Sequence, residues 1–503
     1  MAVSKALILK SASTLFKIER QEGRGRCLVA CSAIPKGRRI RPQDSEDWEP
    51  LAPPALHEGQ RSTRCAFCFQ TLYGPPHRFS NRKITPQYTL LFCSTTCRDG
   101  GRRHGFEQEE QTIAQLYDGG SNNAPPTIFS TAILLYRILC VIHSEALRNS
   151  TTVRSQLDLL QHDDTSDDYD NDDKDNANFH HTRAVIATVV AMVQSSAISG
   201  MTLPPIDDLQ KIVTKIKRNG FSVCDGESVA LGVGLYGTPC AMNHSCKPNA
   251  IQTFSYGQQR LPTLLVTTCE DISSNQEISI SYIDNSCPRW MRRQRLQSDY
   301  RFWCTCDLCQ NDEQESRIVG LRCTECKSGK RVMLVESLAP SPQSYKCPTC
   351  GHDEFTQQLR FLSPFASQSS VSSLKDLEDV YSRFCGLCFP DSWYVQEAGE
   401  RVVQALLDLL GEQADSPSDQ RRTASRALDI LDELRGDKIG KPTSSVRSSI
   451  LTYKAAKLRL FLQPDPRHAI VELQTVLNDL SVYYPKNHEF IVGLQQSLIE
   501  AMM

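Results

Sequence analysis

Residues 232–250, GVGLYGTPCAMNHSCKPNA, decide how this chain is read, together with EISISYID at 277–284 and RRQRLQSDYRFWCTCDLC at 292–309. Cys304, Cys306 and Cys309 form CxCxxC, which offers three thiolates within six residues and leaves a tetrahedral zinc ion one ligand short. The fourth donor must come from elsewhere, and Cys246 in NHSCKPN is the candidate. A metal bridging Cys246 to the CxCxxC pins the segment after Tyr300 back onto the β-rich stretch that precedes it.

Working outward, Gly220 to Tyr282 reads as short β-branched strands (LLVTTC, EISISYI) parted by Gly, Asn and Pro turns. Residues 14 to 42 read as strand, turn, strand: FKIER, then GRGR, then CLVACSAI, with Pro35-Lys36-Gly37 as a further turn. Residues 111 to 160 carry apolar positions at helical spacing, most clearly in TAILLYRILCVIH, and Ala184 to Ser196 returns to that pattern. Between Asp163 and Asp175 eight of thirteen residues are Asp, a composition that repels itself and buries nothing, so Gln161 to about Ala177 reads as a disordered surface loop. Beyond about Leu374 the chain reads as amphipathic helix: ERVVQALLDLLGEQ, TASRALDILDELRG, SSILTYKAAKLRLFLQ and HAIVELQTVLNDLSVYY. Their lengths resemble tetratricopeptide-type helix pairs, although the signature of that ~34-residue repeat is not found.

A chain of 503 residues exceeds what one core supports and implies several units. The net charge of −2 supplies no global positive field, which argues against direct nucleic-acid binding and against an anionic-membrane partner. The longest apolar stretch, Ile128 to Ile142, is broken by Arg137 and falls short of the ~20 residues a span needs. The first twenty residues lack a secretory pattern, so an intracellular protein is expected. In a reducing compartment, twenty-one cysteines are better explained by zinc than by disulfides. Cys323, Cys326, Cys347 and Cys350 form two CxxC knuckles joined by the strand-like KRVMLVES, a zinc-ribbon pattern. Cys65, Cys68, Cys93 and Cys97 complete another four-thiol set. About three structural zinc ions are therefore expected. Cys385 and Cys388, in FCGLCFP, have no second pair nearby and read as two core thiols. Cys27, Cys31, Cys140, Cys224, Cys269 and Cys287 read as ordinary thiols.

NHSCKPN, the tyrosine of SYID 33 residues after Asn249, and the YRFWCTCDLC tail resemble the SET domain. With GRGRCLVACSAIPKG near the start and a cysteine cluster inserted between, the chain resembles the SET and MYND domain (SMYD) family of protein lysine methyltransferases. The resemblance covers roughly residues 14 to 360; the helical remainder matches only in type. It implies an α+β fold with these parts: 14–60, SET N-terminal part; 61–110, degenerate MYND-like zinc module; 111–215, helical insertion with the acidic loop 161–177; 216–285, SET core; 286–312, post-SET zinc segment; 313–360, ribbon-like segment; 370–503, helical C-terminal domain.

The resemblance also implies S-adenosylmethionine as cofactor and a protein substrate, a lysine of a histone or another protein, in cytoplasm or nucleus. In that family donor and lysine enter a narrow channel from opposite faces, so proximity and orientation carry most of the rate, and a desolvating channel beside the sulfonium favours the neutral amine. Tyr282 matches the catalytic tyrosine. Asn243 and His244 match a cofactor-touching pair; Arg24, Gly25 and Arg26 match the loop around the methionine end, where glycine lets the backbone approach and a cation faces the carboxylate. Asn219 matches a further methionine contact, Phe302 an aromatic near the adenine, and Phe221 and Tyr300 the walls of the lysine channel. Two departures stand out. The MYND-like module lacks its third and fourth cysteines, and His104 lacks the Cys expected beside it, so one zinc is expected there and peptide binding by the module is in doubt. Cys240-Ala241-Met242 replaces the family's frequent Ser-Leu-Leu. The competing reading is an inactive SET-like scaffold acting through its zinc modules and C-terminal helices, where protein partners could also dock.

Overall fold

The computed structural model describes residues 15–21, 25–42, 47–79, 89–118, 129–148, 150, 152–158, 160, 177–195, 198, 200–257, 259–323, 325–326, 331–336, 344–353, 373–412, 416–436, 446–463 and 465–503. Arg24 and residues 161–176 of the acidic stretch lie outside them. The chain forms two compact units. The first comprises Met1–Asn243, Asn249–Ile280 and Tyr483–Phe490, and the second His244–Pro248, Ser281–Val482 and Ile491–Met503.

The first unit is built on three small sheets. Strands β1 (Phe16–Gln21) and β2 (Gly25–Ala30) form an antiparallel hairpin in register from Phe16↔Ala30 to Gln21↔Gly25, and β10 (Glu277–Ile280) pairs with β2 through Glu277↔Val29 and Ile278↔Leu28; the short β7 is Asn243–His244. Gly25 leaves the turn at φ 72°, left-handed backbone that a side chain would strain. β3 (Arg39–Ile40), β9 (Thr263–Thr268) and β8 (Ala250–Ser255) make a second sheet in that order; all six residues of TLLVTT are buried, as a central strand of β-branched residues allows. β4 (Ala55–Leu56), β6 (Ala230–Gly234) and β5 (Phe221–Cys224) make the third. Residues 483–490 join this unit: the Tyr483 carbonyl accepts from Thr253 Oγ1 at 3.0 Å and from Arg39 Nη2 at 3.2 Å, and Gly226 leaves room for the Phe490 ring.

Helices α1 (Thr95–Arg103) and α2 (Phe106–Asp118) follow the first cysteine group. Ser94 caps α1 by accepting from the Cys97 N–H, which aims the last thiol of the group. Gly100 and Gly101 let the Phe67 and Phe92 rings lie against the helix; a Cβ at either would come within 2.9 Å of a ring. Next come α3 (Phe129–Leu147), α4 (Thr152–Asp158), α5 (Ala177–Ser195) and α6 (Ile206–Asn219). Leu134, Leu135 and Ile138 of α3 pack with Val185 and Val189 of α5 and Leu209 and Val213 of α6 in one core. α3 outruns the stretch read from sequence and is, by length and composition, apolar enough to cross a membrane. Its apolar residues from Ala132 to Leu139 are nevertheless core, and Leu147 at its end is exposed. Arg137 does not break it, because Glu109 of α2 pairs with the guanidinium at 2.7 Å, and the Pro53 and Pro54 carbonyls and the Phe106 ring, at 3.9 Å, take up the rest of the charge.

In the second unit, α7 (Arg289–Tyr300), α8 (Asp307–Gln310) and α9 (Asp312–Val319) surround the CxCxxC. β11 (Met333–Glu336) pairs antiparallel with β12 (Ser344–Lys346) between the two ribbon knuckles. The helices are α10 (Leu374–Leu387), α11 (Trp393–Glu412), α12 (Pro417–Arg435), α13 (Val446–Leu462), α14 (Arg467–Leu480) and α15 (Glu489–Met502). From α10 through α14 each packs on the next, as short connections and amphipathic faces dictate. Leu321, Cys323, Val332, Tyr345 and Cys347 of the ribbon share a core with Phe384, Cys388, Trp393 and Tyr394. The expectation of two core thiols fails for Cys385, which is exposed; Cys388, in extended backbone just past the end of α10, turns inward and is buried.

Candidate active site and metal centres

Three groups of four cysteines converge: Cys65, Cys68, Cys93 and Cys97; Cys246, Cys304, Cys306 and Cys309; and Cys323, Cys326, Cys347 and Cys350, the sulfurs of each lying within 4.8 Å of one another. A tetrahedron with Zn–S bonds of about 2.3 Å has edges of about 3.8 Å. The observed separations fit: Cys68 to Cys93 3.7 Å, Cys93 to Cys97 3.5 Å, Cys246 to Cys304 3.9 Å, Cys246 to Cys309 3.5 Å, Cys323 to Cys350 3.7 Å and Cys326 to Cys347 3.6 Å. Four sulfurs at these separations, able to bind as thiolates, suit one zinc ion per group and about three in all. Among the described residues the first module holds one such group; His104 lies 5.8 Å from the Phe67 ring and closes α1.

Around the second group the second unit arranges supporting contacts. His244 Nδ1 accepts the Tyr282 backbone N–H at 3.0 Å, so the ring proton sits on Nε2 and points at Cys246 Sγ, 3.1 Å away. Burial lowers the His244 pKa to about 4 and keeps the ring neutral. Buried Arg292 of α7 donates to Cys309 Sγ at 3.7 Å and to Glu315 of α9 at 3.4 Å, so a cation offsets the excess negative charge of four thiolates. Arg293 donates to the Cys304 and Cys309 carbonyls, and Asn285 to that of Cys246. Sequence reading missed both arginines' role, because nothing in their local spacing marks it.

The aromatic residues stand over this support. The Tyr282 ring lies 5.4 Å from His244 and 4.8 Å from Tyr300, and Phe302 lies 6.0 Å from His244, all within one cluster with Cys246, Leu296 and Cys309. One histidine thus links Tyr282 to a zinc ligand. The loop after Tyr282 is held by Arg447, which donates to Ser286 Oγ at 2.6 Å and pairs with Glu400 at 2.8 Å and Glu397 at 3.1 Å.

The remaining sequence-derived positions lie in the first unit. Asn243 Nδ2 donates to Glu277 Oε1 at 2.8 Å. Asn249, which sequence reading used only as a marker, ties the loop to β10 through the Glu277 carbonyl and the Ser279 N–H. Asn219 ends α6, its Nδ2 donating to the Lys215 carbonyl at 2.8 Å while its own carbonyl accepts the Cys240 thiol at 3.4 Å. Phe221 packs edge-on against Tyr236 at 5.7 Å. Gly25 and Arg26 open β2, with Arg26 half-buried.

The SET domain family model matches residues 25–283. Among similar proteins, Histone-lysine N-methyltransferase SMYD3 of Homo sapiens is 31% identical over 134 residues, 27% of this chain and 30% of the relative. Histone-lysine N-methyltransferase ASHR1 of Arabidopsis thaliana is 35% identical over 155 residues, 29% of this chain and 30% of the relative. N-lysine methyltransferase SMYD2 of Bos taurus is 26% identical over 269 residues, 53% of this chain and 55% of the relative. The matched regions span about a third to about a half of these relatives' length. The family match takes in a little over half of the 503 residues, including β2, Asn219, Asn243 to Asn249 and Tyr282, and the chain belongs to the SET domain family.

Proposed function

We propose that this chain is an S-adenosylmethionine-dependent protein-lysine N-methyltransferase acting on a histone or another protein, in nucleus or cytoplasm. The observation that carries the proposal is Tyr282, inside the SET match with His244 and Cys246, its ring beside His244 and beside Tyr300 of the segment that completes the four-thiol group. The relatives' methyltransferase names support the same class. The first unit offers a feature suited to the donor's amino-acid end: Arg26 is a half-buried guanidinium with no hydrogen bond or ion pair among the described residues.

When bound, S-adenosylmethionine supplies an electrophilic methyl group on a sulfonium. The chain's own residues then hold and orient. Tyr282 directs the lysine amine through its hydroxyl; Tyr300 and Phe221 wall the lysine and exclude water, favouring the neutral amine. Phe302 flanks the adenine, and Asn219, Asn243, His244 and the Arg24–Arg26 loop hold the cofactor. The zinc ions are structural: each donor set is complete with four thiols, leaving no open coordination position. The parts read from sequence, from the SET N-terminal segment at 14–60 to the C-terminal helices at 370–503, are proposed as working divisions.

The test is calorimetric titration of S-adenosylmethionine into wild type and Tyr282→Phe, followed by methyl transfer to an array of histones and other proteins. Both should bind, with transfer by wild type reduced about 10²-fold or more in the variant. A wild type that binds no cofactor would refute the enzyme and leave the scaffold.

A further inference from the structure

Arg26 has unusual company for a half-buried cation. The charged group that acts on it is Arg20, of the same sign; the nearby Cys240 thiol is kept neutral by burial, which pushes its pKa up to about 12, and Arg26 in turn acts on Lys215. Lys215 is 7% exposed and sits one turn before Asn219 on the same face of α6. Its one ion pair among the described residues is loose, 4.0 Å to Asp158 at the end of α4, whose side chain is 73% exposed. The neighbourhood is closely tied: Asn219 donates to the Lys215 carbonyl, Cys240 donates to the Asn219 carbonyl, and the turn Thr238–Ala241 that carries Cys240 packs on β2.

Removing a cation from water without a full partner is costly, and gathering like charges adds to that cost. Elsewhere in this unit the cost is met: Arg137 has Glu109 and two carbonyls. Among the described residues, at Arg26 and Lys215 it is met only by the loosely paired, exposed Asp158 and, without an ion pair to Lys215, by Asp208. An anionic ligand group resolves the arrangement, with a planar guanidinium suited to a carboxylate and an ammonium adding a point charge beside it.

We propose that Lys215 acts with Arg26 as a second cation holding the α-carboxylate of the methyl donor, and that Asp158 is its resting partner in the ligand-free chain. This rests on the S-adenosylmethionine reading above and adds to it a residue that no motif marks.

The experiment measures binding of S-adenosylmethionine and of decarboxylated S-adenosylmethionine by calorimetry to wild type, Lys215→Met, Lys215→Arg and Asp158→Asn, with zinc content and thermal melts confirming the fold. Lys215→Met should weaken S-adenosylmethionine about tenfold or more, the range for a lost charge-assisted contact. It should leave the decarboxylated compound as tight or tighter, and Lys215→Arg should restore most of the affinity. Asp158→Asn, at an exposed position that folding does not need, should tighten S-adenosylmethionine alone. Equal weakening of both compounds by Lys215→Met, unchanged S-adenosylmethionine binding by that variant, or weaker binding by Asp158→Asn would overturn the role of Lys215 while leaving the cofactor reading intact. A wild type that binds neither compound would overturn both.

Discussion

Glu110 gives the sharpest test of how the first zinc module is supported. Its side chain is 3% exposed on α2, and its Oε1 accepts the Leu90 backbone N–H at 2.7 Å, fixing the extended segment that leads to Cys93. Burial raises its pKa from 4.5 to about 7, opposed by that hydrogen bond and reinforced by Glu109 and Glu107. The folded chain therefore keeps a proton that the unfolded chain releases above 4.5. Between pH 4.5 and about 7 the unfolded state binds fewer protons than the folded one, so this group's contribution makes stability fall as pH rises through that window. At 1.36 kcal/mol per pH unit, the full loss is on the order of 3 kcal/mol. Glu110→Gln keeps an acceptor for Leu90 and removes the titration. Melts and zinc retention compared at pH 5 and pH 8 should show the variant closer to wild type at pH 5 and more stable than it at pH 8. Parallel pH profiles for the two proteins would refute the reasoning, as would a variant less stable than wild type at pH 8.

Two further outcomes follow from the metal centres. Cys246→Ser should lower bound zinc by about one ion per chain in elemental analysis, from the three expected of three donor sets; a protein that still holds three would dissolve the link between NHSCKPN and CxCxxC. Arg292→Met should destabilise the chain by about 3–5 kcal/mol, the usual cost of leaving one member of a buried pair alone, and should speed zinc loss to a chromogenic chelator. Glu315→Gln in the same background should recover part of that stability, because both side chains are fully buried and Glu315 is the carboxylate left alone; strictly additive effects of the two changes would argue against the pairing.

How much of this was legible in the sequence depends on the range of the chemistry. Thiols that share one ion announce themselves by spacing, and Cys323 to Cys350 or Cys304 to Cys309 could be read directly. Cys246 could be found because three donors imply a fourth. The strand–turn–strand opening and the helical C-terminal part followed from local periodicity. What failed was whatever a distant segment decides. Cys385 and Cys388 look equivalent in FCGLCFP, yet only the one past the helix end turns into the core. Residues 483–490 run from the loop after α14 into the start of α15 and still join the first unit, through Thr253, Arg39 and Gly226.

Charges make the same point with more consequence for function. In sequence, Arg26 stands out in GRGR and Arg137 as an interruption of an apolar stretch, while Arg292 and Lys215 are basic residues with no distinguishing context. In the fold, Arg137 is answered by Glu109 and Arg292 by Glu315 and a thiolate, each partner supplied by another helix, and both arginines explain their own burial. Arg26 and Lys215 do not: one has no ion pair among the described residues and the other a loose, solvent-facing one. A fold that closes its ion pairs at Arg137 and Arg292 has the means to do so at Arg26 as well. That it leaves two cations together beside Asn219 is the physical ground for expecting the missing negative charge to arrive with the ligand.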